Sequence, residues 1–273
     1  MKPNTMKDLW AAGRPVLNGW LSIPNAFTAE IMAEQGYDAI SIDLQHGLVD
    51  YQTAVAMFQA MRTSGVALMA RVPWLEPGII MKMLDAGAYG VICPMINTRE
   101  EAERLVSYVR YPPTGTRSFG PSRAVISAGA DYGVKADATV VCFAMIETAE
   151  AFANLDEIVA TPGLDGVYVG PADLTLGLTG MRHPIGFDRE EPEMVDAIKR
   201  ILAAAKRAGI KAALHCGTPG YAAKAVGWGF DLVTLTNDVR LLAAAAAASI
   251  AATRAGIGQH ETITAPQSQK PGY

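Results

Sequence analysis

Cysteine is scarce in this 273-residue chain, and neither sign of charge is in large excess. The three cysteines, Cys93, Cys142 and Cys216, lack metal-type spacing, so we expect no structural zinc. Such an odd, sparse set indicates reduced thiols in a cytoplasmic protein. The formal net charge of −4 gives no reason to expect nucleic acid or an anionic membrane surface as a partner.

A long apolar run is also missing. The N-terminal residues MKPNTMKDLWAAG lack the apolar stretch of a signal peptide. The longest apolar run, residues 241–252, is far shorter than the roughly 20 residues of a membrane span. Because that run is mostly alanine, it predicts a helix. We therefore expect no membrane partner.

Short apolar runs alternate with helix-length segments almost to the end of the chain. Most of these runs are apolar throughout, which is typical of strands covered on both faces. The strand candidates are residues 15–22, 38–43, 66–72, 89–95, 139–147, 165–170, 210–215 and 231–236. Eight βα units predict a (β/α)₈ TIM barrel of the α/β class. A doubly wound open sheet is the alternative, but no G-x-G-x-x-G follows the first strand.

Two stretches interrupt the alternation. Residues 111–138 are too long for a plain connection, and they are predicted to be ordered and to pack near the barrel mouth or a subunit interface. Residues 257–273 are rich in Gln, Thr and Pro and predict a flexible tail. The barrel is then a single domain of residues 1–256.

Polar groups at the carboxyl ends of the predicted strands are the candidates for chemistry, because catalytic groups of such barrels lie there. These ends carry Asp43 and His46 after strand two, Arg71 after strand three, Glu147 after strand five, Asp173 after strand six and His215 after strand seven. Ordinary roles stay open: Glu147 or Asp173 could serve a helix N-terminus, and Arg71 a salt bridge. His215 is interpreted as an ordinary hydrogen-bonded histidine, because nothing nearby in the sequence supports a functional role.

Two carboxylates on adjacent strands, Glu147 and Asp173, could share a hard divalent cation, and Arg71 could hold an anion. A 2-oxo acid would chelate such an ion, which would act as a Lewis acid and stabilise an enolate. The turn Gly170-Pro171-Ala172 opens toward a helix, and its N–H groups could hold the carboxylate of the acid. No lysine ends a strand, so a Schiff-base mechanism is not expected.

The segments DLQHG, ARVPW, MLDAG, RYPPTGTRSFGP, MIET and VGPADLTLGL occur in this order. Together they resemble the HpcH/HpaI family of class II, metal-dependent pyruvate (hydroxyketoacid) aldolases. The resemblance implies a (β/α)₈ barrel and a carbon–carbon lyase. Such an enzyme reversibly cleaves 4-hydroxy-2-oxo acids to an aldehyde and pyruvate, or a related 2-oxo acid such as hydroxypyruvate. It also implies a Mg²⁺ or Mn²⁺ cofactor, with Co²⁺ possible, and a homohexamer, a trimer of dimers with exchanged C-terminal helices.

The same resemblance implies roles for individual residues. Glu147 and Asp173 would bind the metal, and Arg71 would contact the oxygen of the bound oxo acid. His46, oriented by Asp43, would be the acid–base group.

Three further positions qualify the resemblance. Asp85 in MLDAG matches a family aspartate that assists the site of a neighbouring subunit. The family often has Glu where this chain has Gln45, and often has Gln where it has Met145. Because Met cannot donate a hydrogen bond to pyruvate or to metal-bound water, the substrate preference of this chain is expected to differ.

Two other functions stay open at this stage. An acyl-CoA ester lyase of a related barrel family would need a cationic nucleotide groove, for which Arg117 and Arg123 are loose candidates. A non-catalytic metal-binding barrel would show a lost ligand or a lost base, and the sequence retains both.

Overall fold

The computed structural model describes residues 1–257. Within them, eight parallel strands form a closed barrel in chain order, with β1 pairing to both β2 and β8. The strands are β1 (Val16–Leu21), β2 (Ala39–Asp43), β3 (Ala67–Arg71), β4 (Gly90–Cys93), β5 (Val141–Ile146), β6 (Gly166–Val169), β7 (Lys211–Cys216) and β8 (Leu232–Leu235). The predicted (β/α)₈ barrel and all of its predicted strands are confirmed.

The helices surround this barrel and follow the strands, except for α1, which precedes β1. They are α1 (Thr5–Ala11), α2 (Ala26–Ala33), α3 (Tyr51–Ala60), α4 (Pro77–Asp85), α5 (Arg99–Val109), α6 (Ser122–Ala128), α7 (Tyr132–Thr139), α8 (Ala149–Ala153), α9 (Leu155–Val159), α10 (Pro171–Thr179), α11 (Pro192–Ala208), α12 (Pro219–Trp228) and α13 (Asp238–Ile257). A 3₁₀ turn, Met61–Thr63, follows α3. Side-chain oxygens cap several of them, as Thr98 and Glu101 do reciprocally for α5.

Two apolar layers hold the fold together. One lies between the sheet and the helices, and the other fills the barrel interior. Helix α1 closes the end of the barrel at which the strands begin, which we call the base. There the buried Met6 joins the interior layer, and Leu9 and Trp10 pack against it. The sequence analysis missed α1, although Asn4 caps its first turn by accepting from the N–H of Met6.

The long segment 111–138 is ordered, as predicted, but it does not lie at the mouth of its own barrel. Helices α6 and α7 pack at the base, where Tyr132 is buried among small residues of the same segment. Arg123 donates to the carbonyl of Ala86, in the turn before β4. Placement near the mouth was therefore wrong for the chain's own barrel, because the segment leads directly into the start of β5. Contact with another subunit stays a prediction.

Helix α13 stands apart from the packed barrel. Asp238 anchors its first turn by accepting from the N–H groups of Ser22 and Ile23. Beyond that residue, the helix is exposed along its length. Helix α13 is long and apolar enough to cross a membrane, by length and composition alone. One such helix is weak evidence for a membrane span. The predicted tail lies outside the described residues, except Ile257, which ends α13.

Candidate active site

A cavity of about 500 Å³ opens at the end of the barrel where the strands finish, which we call the mouth. All six side chains named at strand ends line it: Asp43, His46, Arg71, Glu147, Asp173 and His215. The sequence analysis predicted that polar groups at the strand ends would lie together, and in the structure they line one cavity.

Asp43 and Arg71 form a two-point ion pair inside this cavity. They occupy the same level of the sheet, because the register of β2 and β3 aligns these two residues. Arg71 donates from Nε to Oδ1 at 2.9 Å and from Nη2 to Oδ2 at 2.6 Å. The guanidinium also lies 4.8 Å from the ring centre of Trp20. Burial opposes ionisation, but Arg71 holds the pKa of Asp43 below its usual value.

Asp43 orients His46 through the backbone rather than through the imidazole. Its Oδ1 accepts from the N–H groups of Gln45 and His46 at 3.0 and 3.2 Å. A Cβ at Gly47 would lie 2.2 Å from the carbonyl oxygen of Asp43, so only glycine permits this tight loop. The His46 side chain is exposed at the rim of the cavity.

Glu147 is the most strongly perturbed carboxyl group of the cavity. It is only 3% exposed, and its Oε1 accepts from the N–H of Met95 at 2.8 Å. Met95 has a φ of 56°, an unusual value for a residue other than glycine. Burial raises the pKa of Glu147 to about 7; the Met95 hydrogen bond lowers it, and the negative charge of Asp173 raises it.

Asp173 lies in the first turn of α10, beside the end of β6. No side chain caps this helix, and Pro171 at its start has no N–H, so Ala172 and Asp173 supply the free donors. A Cβ on Gly170 would lie 2.6 Å from Oε2 of Glu147. Glycine at this position therefore lets the carboxylate of Glu147 lie directly against the start of α10.

The two carboxylates fit a hard divalent cation. Within residues 1–257, no group of three or more His, Cys, Asp or Glu side chains is arranged to hold a metal ion. A site built on Glu147 and Asp173 alone leaves positions for water and for an oxygen-rich ligand, as Mg²⁺ requires. A cation would also neutralise the repulsion that raises the pKa of Glu147.

His215 also lines the cavity, although the sequence analysis gave it no functional role. It is 7% exposed, and burial lowers its pKa to about 3, helped by the charge of Arg71. Its ring centre lies 4.9 Å from that of Trp20 and 4.4 Å from that of Phe187. The strand-end rule already contained His215, whereas nothing local in the sequence pointed to Trp20 or Phe187.

Asp85 lies away from this cavity, at the end of α4 near the base. Its Oδ1 accepts from Nη2 of Arg117 at 2.6 Å, and Arg117 also donates to the hydroxyl of Tyr132. The role of Asp85 in the site of a neighbouring subunit stays a prediction.

Comparison with known proteins agrees with the observed fold. Residues 18–245 match the family model described as HpcH/HpaI aldolase/citrate lyase. This chain belongs to the HpcH/HpaI aldolase/citrate lyase family. The matched range includes all of the residues that line the cavity, from Trp20 to Arg240.

Several similar proteins are named as aldolases. A hydroxypyruvate/pyruvate aldolase of Rhizorhabdus wittichii is 44% identical over 92% of this chain and 99% of its own length. A 4-hydroxy-2-oxo-heptane-1,7-dioate aldolase of Salmonella dublin is 32% identical over 90% of this chain and 92% of its own. The crystal structure of a Burkholderia cenocepacia family member is similar with a TM-score of 0.84 and 30% identity, covering 92% of this chain and 99% of that one.

Proposed function

We propose that this HpcH/HpaI family member is a class II aldolase that uses pyruvate or hydroxypyruvate as its nucleophile. The protein is a carbon–carbon lyase, and the reaction is the reversible cleavage of a 4-hydroxy-2-oxo acid to a 2-oxo acid and an aldehyde. The main observation in support is that Glu147, Asp173 and Arg71 line the same cavity at the mouth. The choice of nucleophile is supported by the names of similar proteins in Rhizorhabdus wittichii and Deinococcus radiodurans.

Glu147 and Asp173 would hold a divalent ion, Mg²⁺ or Mn²⁺, with Co²⁺ as a further possibility. When bound, the ion supplies Lewis-acid stabilisation of an enolate. The free N–H groups at the start of α10 suit the carboxylate of the oxo acid, because they are uncapped and lie at a helix N-terminus. Met145 lines the same cavity and offers no hydrogen-bond donor.

Arg71 would bind the keto oxygen of the substrate. Its ion pair with Asp43 uses Nε and one hydrogen of Nη2, which fixes the plane of the guanidinium and leaves Nη1 for a ligand. A rigid donor of this kind stabilises the negative charge that develops on the oxygen as the enolate forms.

His46 would move the proton at the C4 hydroxyl. In cleavage, the imidazole accepts that proton, the C3–C4 bond breaks, and its electron pair remains as the enolate while the aldehyde leaves. The enolate then takes a proton at C3 to give the 2-oxo acid. The exposed position of His46 at the rim suits exchange of the proton with solvent.

The alternative of an acyl-CoA ester lyase has less support. Its two candidate cations, Arg117 and Arg123, lie near the base and are engaged by Asp85 and by the carbonyl of Ala86. Neither of them lines the cavity at the mouth. A non-catalytic barrel is also disfavoured. The cavity at the mouth retains the acidic groups proposed to bind metal, the proposed base His46 and the cationic Arg71.

We further propose that the chain assembles with copies of itself, as a hexamer built as a trimer of dimers. The exposed, alanine-rich helix α13 supports this arrangement, because small side chains permit close packing against a partner helix. The proposed cytoplasmic location is supported by the three unpaired and buried cysteines, Cys93, Cys142 and Cys216.

Product analysis with a panel of aldehydes tests the proposed function. Protein supplied with Mg²⁺ or Mn²⁺ and either pyruvate or hydroxypyruvate should form the corresponding 4-hydroxy-2-oxo acids, identified by mass spectrometry. Chelation should abolish the products, and added metal should restore them. Full activity after exhaustive chelation, or an oxo-acid adduct trapped on the protein by borohydride, would contradict the proposal.

A further inference from the structure

A chain of hydrogen bonds runs through the barrel interior and ends at His215. Ser41 donates from Oγ to Oδ1 of Asn18 at 3.2 Å, and Nδ2 of Asn18 donates to Oγ1 of Thr234 at 2.9 Å. Oγ1 of Thr234 lies 2.6 Å from the hydroxyl of Tyr168, which lies 3.0 Å from Nδ1 of His215. The first four of these residues are fully buried. The chain therefore isolates its protons from solvent.

The hydrogen-bond partners along this chain favour one tautomer of His215. Oγ1 of Thr234 already accepts from Asn18, so its own proton is best placed on the oxygen of Tyr168. The proton of Tyr168 then goes to Nδ1 of His215, which makes Nδ1 an acceptor and leaves Nε2 protonated. The reverse direction would leave the hydroxyl proton of Thr234 without an acceptor in the barrel interior, at a cost in free energy.

Nε2 of His215 is buried and has no hydrogen-bond partner among residues 1–257. His215 lines the cavity at the mouth together with Arg71 and Glu147. Because burial holds its pKa near 3, the imidazole is neutral at physiological pH and carries a single N–H. A buried donor without a partner is unfavourable, and a ligand with an acceptor oxygen would supply one.

The substrate has one polar group that the proposed function leaves without a partner. Arg71 takes the keto oxygen, and the start of α10 takes the carboxylate. In hydroxypyruvate, the hydroxyl on C3 remains. The side chains stacked nearest His215 are the aromatic rings of Trp20 and Phe187. The guanidinium of Arg240 also lines the cavity and lies over the Phe187 ring, 5.0 Å from its centre.

We propose that His215 is a specificity-determining residue, whose Nε2–H donates to the C3 hydroxyl of hydroxypyruvate and so favours it over pyruvate. With pyruvate, the same N–H faces a methyl group and stays unpaired. This inference rests on the proposed aldolase function and names the preferred nucleophile of that site.

Two variants test the preference against wild type. With one fixed aldehyde, kcat/KM is measured for hydroxypyruvate and for pyruvate. His215→Phe should lower the ratio of the two values about tenfold, by slowing the reaction of hydroxypyruvate while that of pyruvate persists. His215→Gln, which restores an N–H donor, should recover part of the ratio. An unchanged ratio in His215→Phe would overturn the proposal.

Two readouts do not depend on turnover. In ¹⁵N-histidine NMR of the wild type, the signals lost in His215→Phe should show a neutral ring protonated at Nε2, and Tyr168→Phe should weaken that preference. Calorimetry with Mg²⁺ should show hydroxypyruvate binding more tightly than pyruvate, with the difference lost in His215→Phe. Protonation at Nδ1, or equal binding of both acids by wild type, would contradict the proposal. Absence of aldol products from wild type would instead refute the proposed function.

Discussion

The two ends of the barrel each contain a largely buried aspartate–arginine pair, and the two pairs make different contacts. At the base, Arg110 donates to Asp165 at 2.5 Å and also to the carbonyls of Val140 and Gly163 at 2.9 and 3.2 Å. Its guanidinium joins the turns that precede β5 and β6. At the mouth, the guanidinium of Arg71 donates to Asp43 alone among the residues that the structure describes.

The difference extends beyond these pairs. Charged groups at the base have nearby partners, such as Arg117 with Asp85 and Lys206 with Asp231. At the mouth, Glu147 is buried beside another carboxylate, and Nε2 of His215 has no partner among residues 1–257. Polar groups at the base thus hold the fold together, whereas these groups at the mouth are less fully paired and would suit the proposed ligands. This matches the general division of such barrels into a stabilising face and a functional face.

Replacing each arginine with lysine should give the largest difference between the mouth and the base, in activity for Arg71 and in stability for Arg110. Arg71→Lys keeps the charge but loses the planar donor, so aldol activity should fall about 10³-fold. Arg110→Lys loses the hydrogen bonds to two carbonyls, so the free energy of unfolding should fall by roughly 2 kcal/mol. Activity of the folded Arg110→Lys protein should stay within about twofold of wild type.

Steady-state kinetics and urea unfolding of both variants measure these effects. Equal loss of activity in the two variants would show that the base and the mouth do not differ as described.

The buried carboxyl at the mouth should leave a signature in stability. The folded-state pKa of Glu147, about 7, lies above its unfolded value, so metal-free folded protein binds more protons than unfolded protein between about pH 4.5 and 7. Its contribution is most favourable below pH 4.5 and declines as pH rises through 7, by roughly 3 kcal/mol. Glu147→Gln, which retains an acceptor for Met95, should remove that part of the pH dependence.

Urea unfolding at several pH values in the presence of chelator measures this decline. Saturating divalent metal should reverse it in wild type. Identical pH profiles for wild type and Glu147→Gln would contradict the assignment.

His46 should separate proton transfer from enolate formation. His46→Ala should lower aldol cleavage about 10²-fold, the lower end of the range for a lost acid–base group. Deuterium exchange at the methyl group of pyruvate in D₂O, which reports enolate formation, should persist. Stability should change by less than about 0.5 kcal/mol, because the side chain is exposed.

The matched control is His183→Ala, because His183 does not line the cavity. Undiminished cleavage in His46→Ala would assign the proton transfer to another group.

Much of the fold could be predicted from the sequence, because apolar runs and helix-ending glycines are local signals. The strands and most helices follow them. Helix α1 was missed because its seven residues give too short a pattern. Helices α6 and α7 were missed because their segment contains proline, glycine and charged residues without regular apolar spacing.

The sequence could predict which single residues lie at strand ends and so line the cavity, but not how residues of different strands pair. Arg71 and Glu147 were found this way, but the partner of Asp43 was not. Spacing along the chain pointed to His46, whereas the register of β2 against β3 places Arg71 beside Asp43. The role proposed for His215 likewise depends on an interior hydrogen-bond chain that joins distant strands, which no local pattern reveals.

Direct titration with Mn²⁺, followed by electron paramagnetic resonance of the free ion, tests the central claim that the mouth holds a cation on Glu147 and Asp173. Wild type should bind one Mn²⁺ per chain. Glu147→Gln and Asp173→Asn should each weaken binding by about 100-fold or more, since each removes a charged oxygen ligand. Glu103→Gln, an exposed carboxylate on α5, should bind as wild type does. Unchanged Mn²⁺ affinity in both Glu147→Gln and Asp173→Asn would contradict the account.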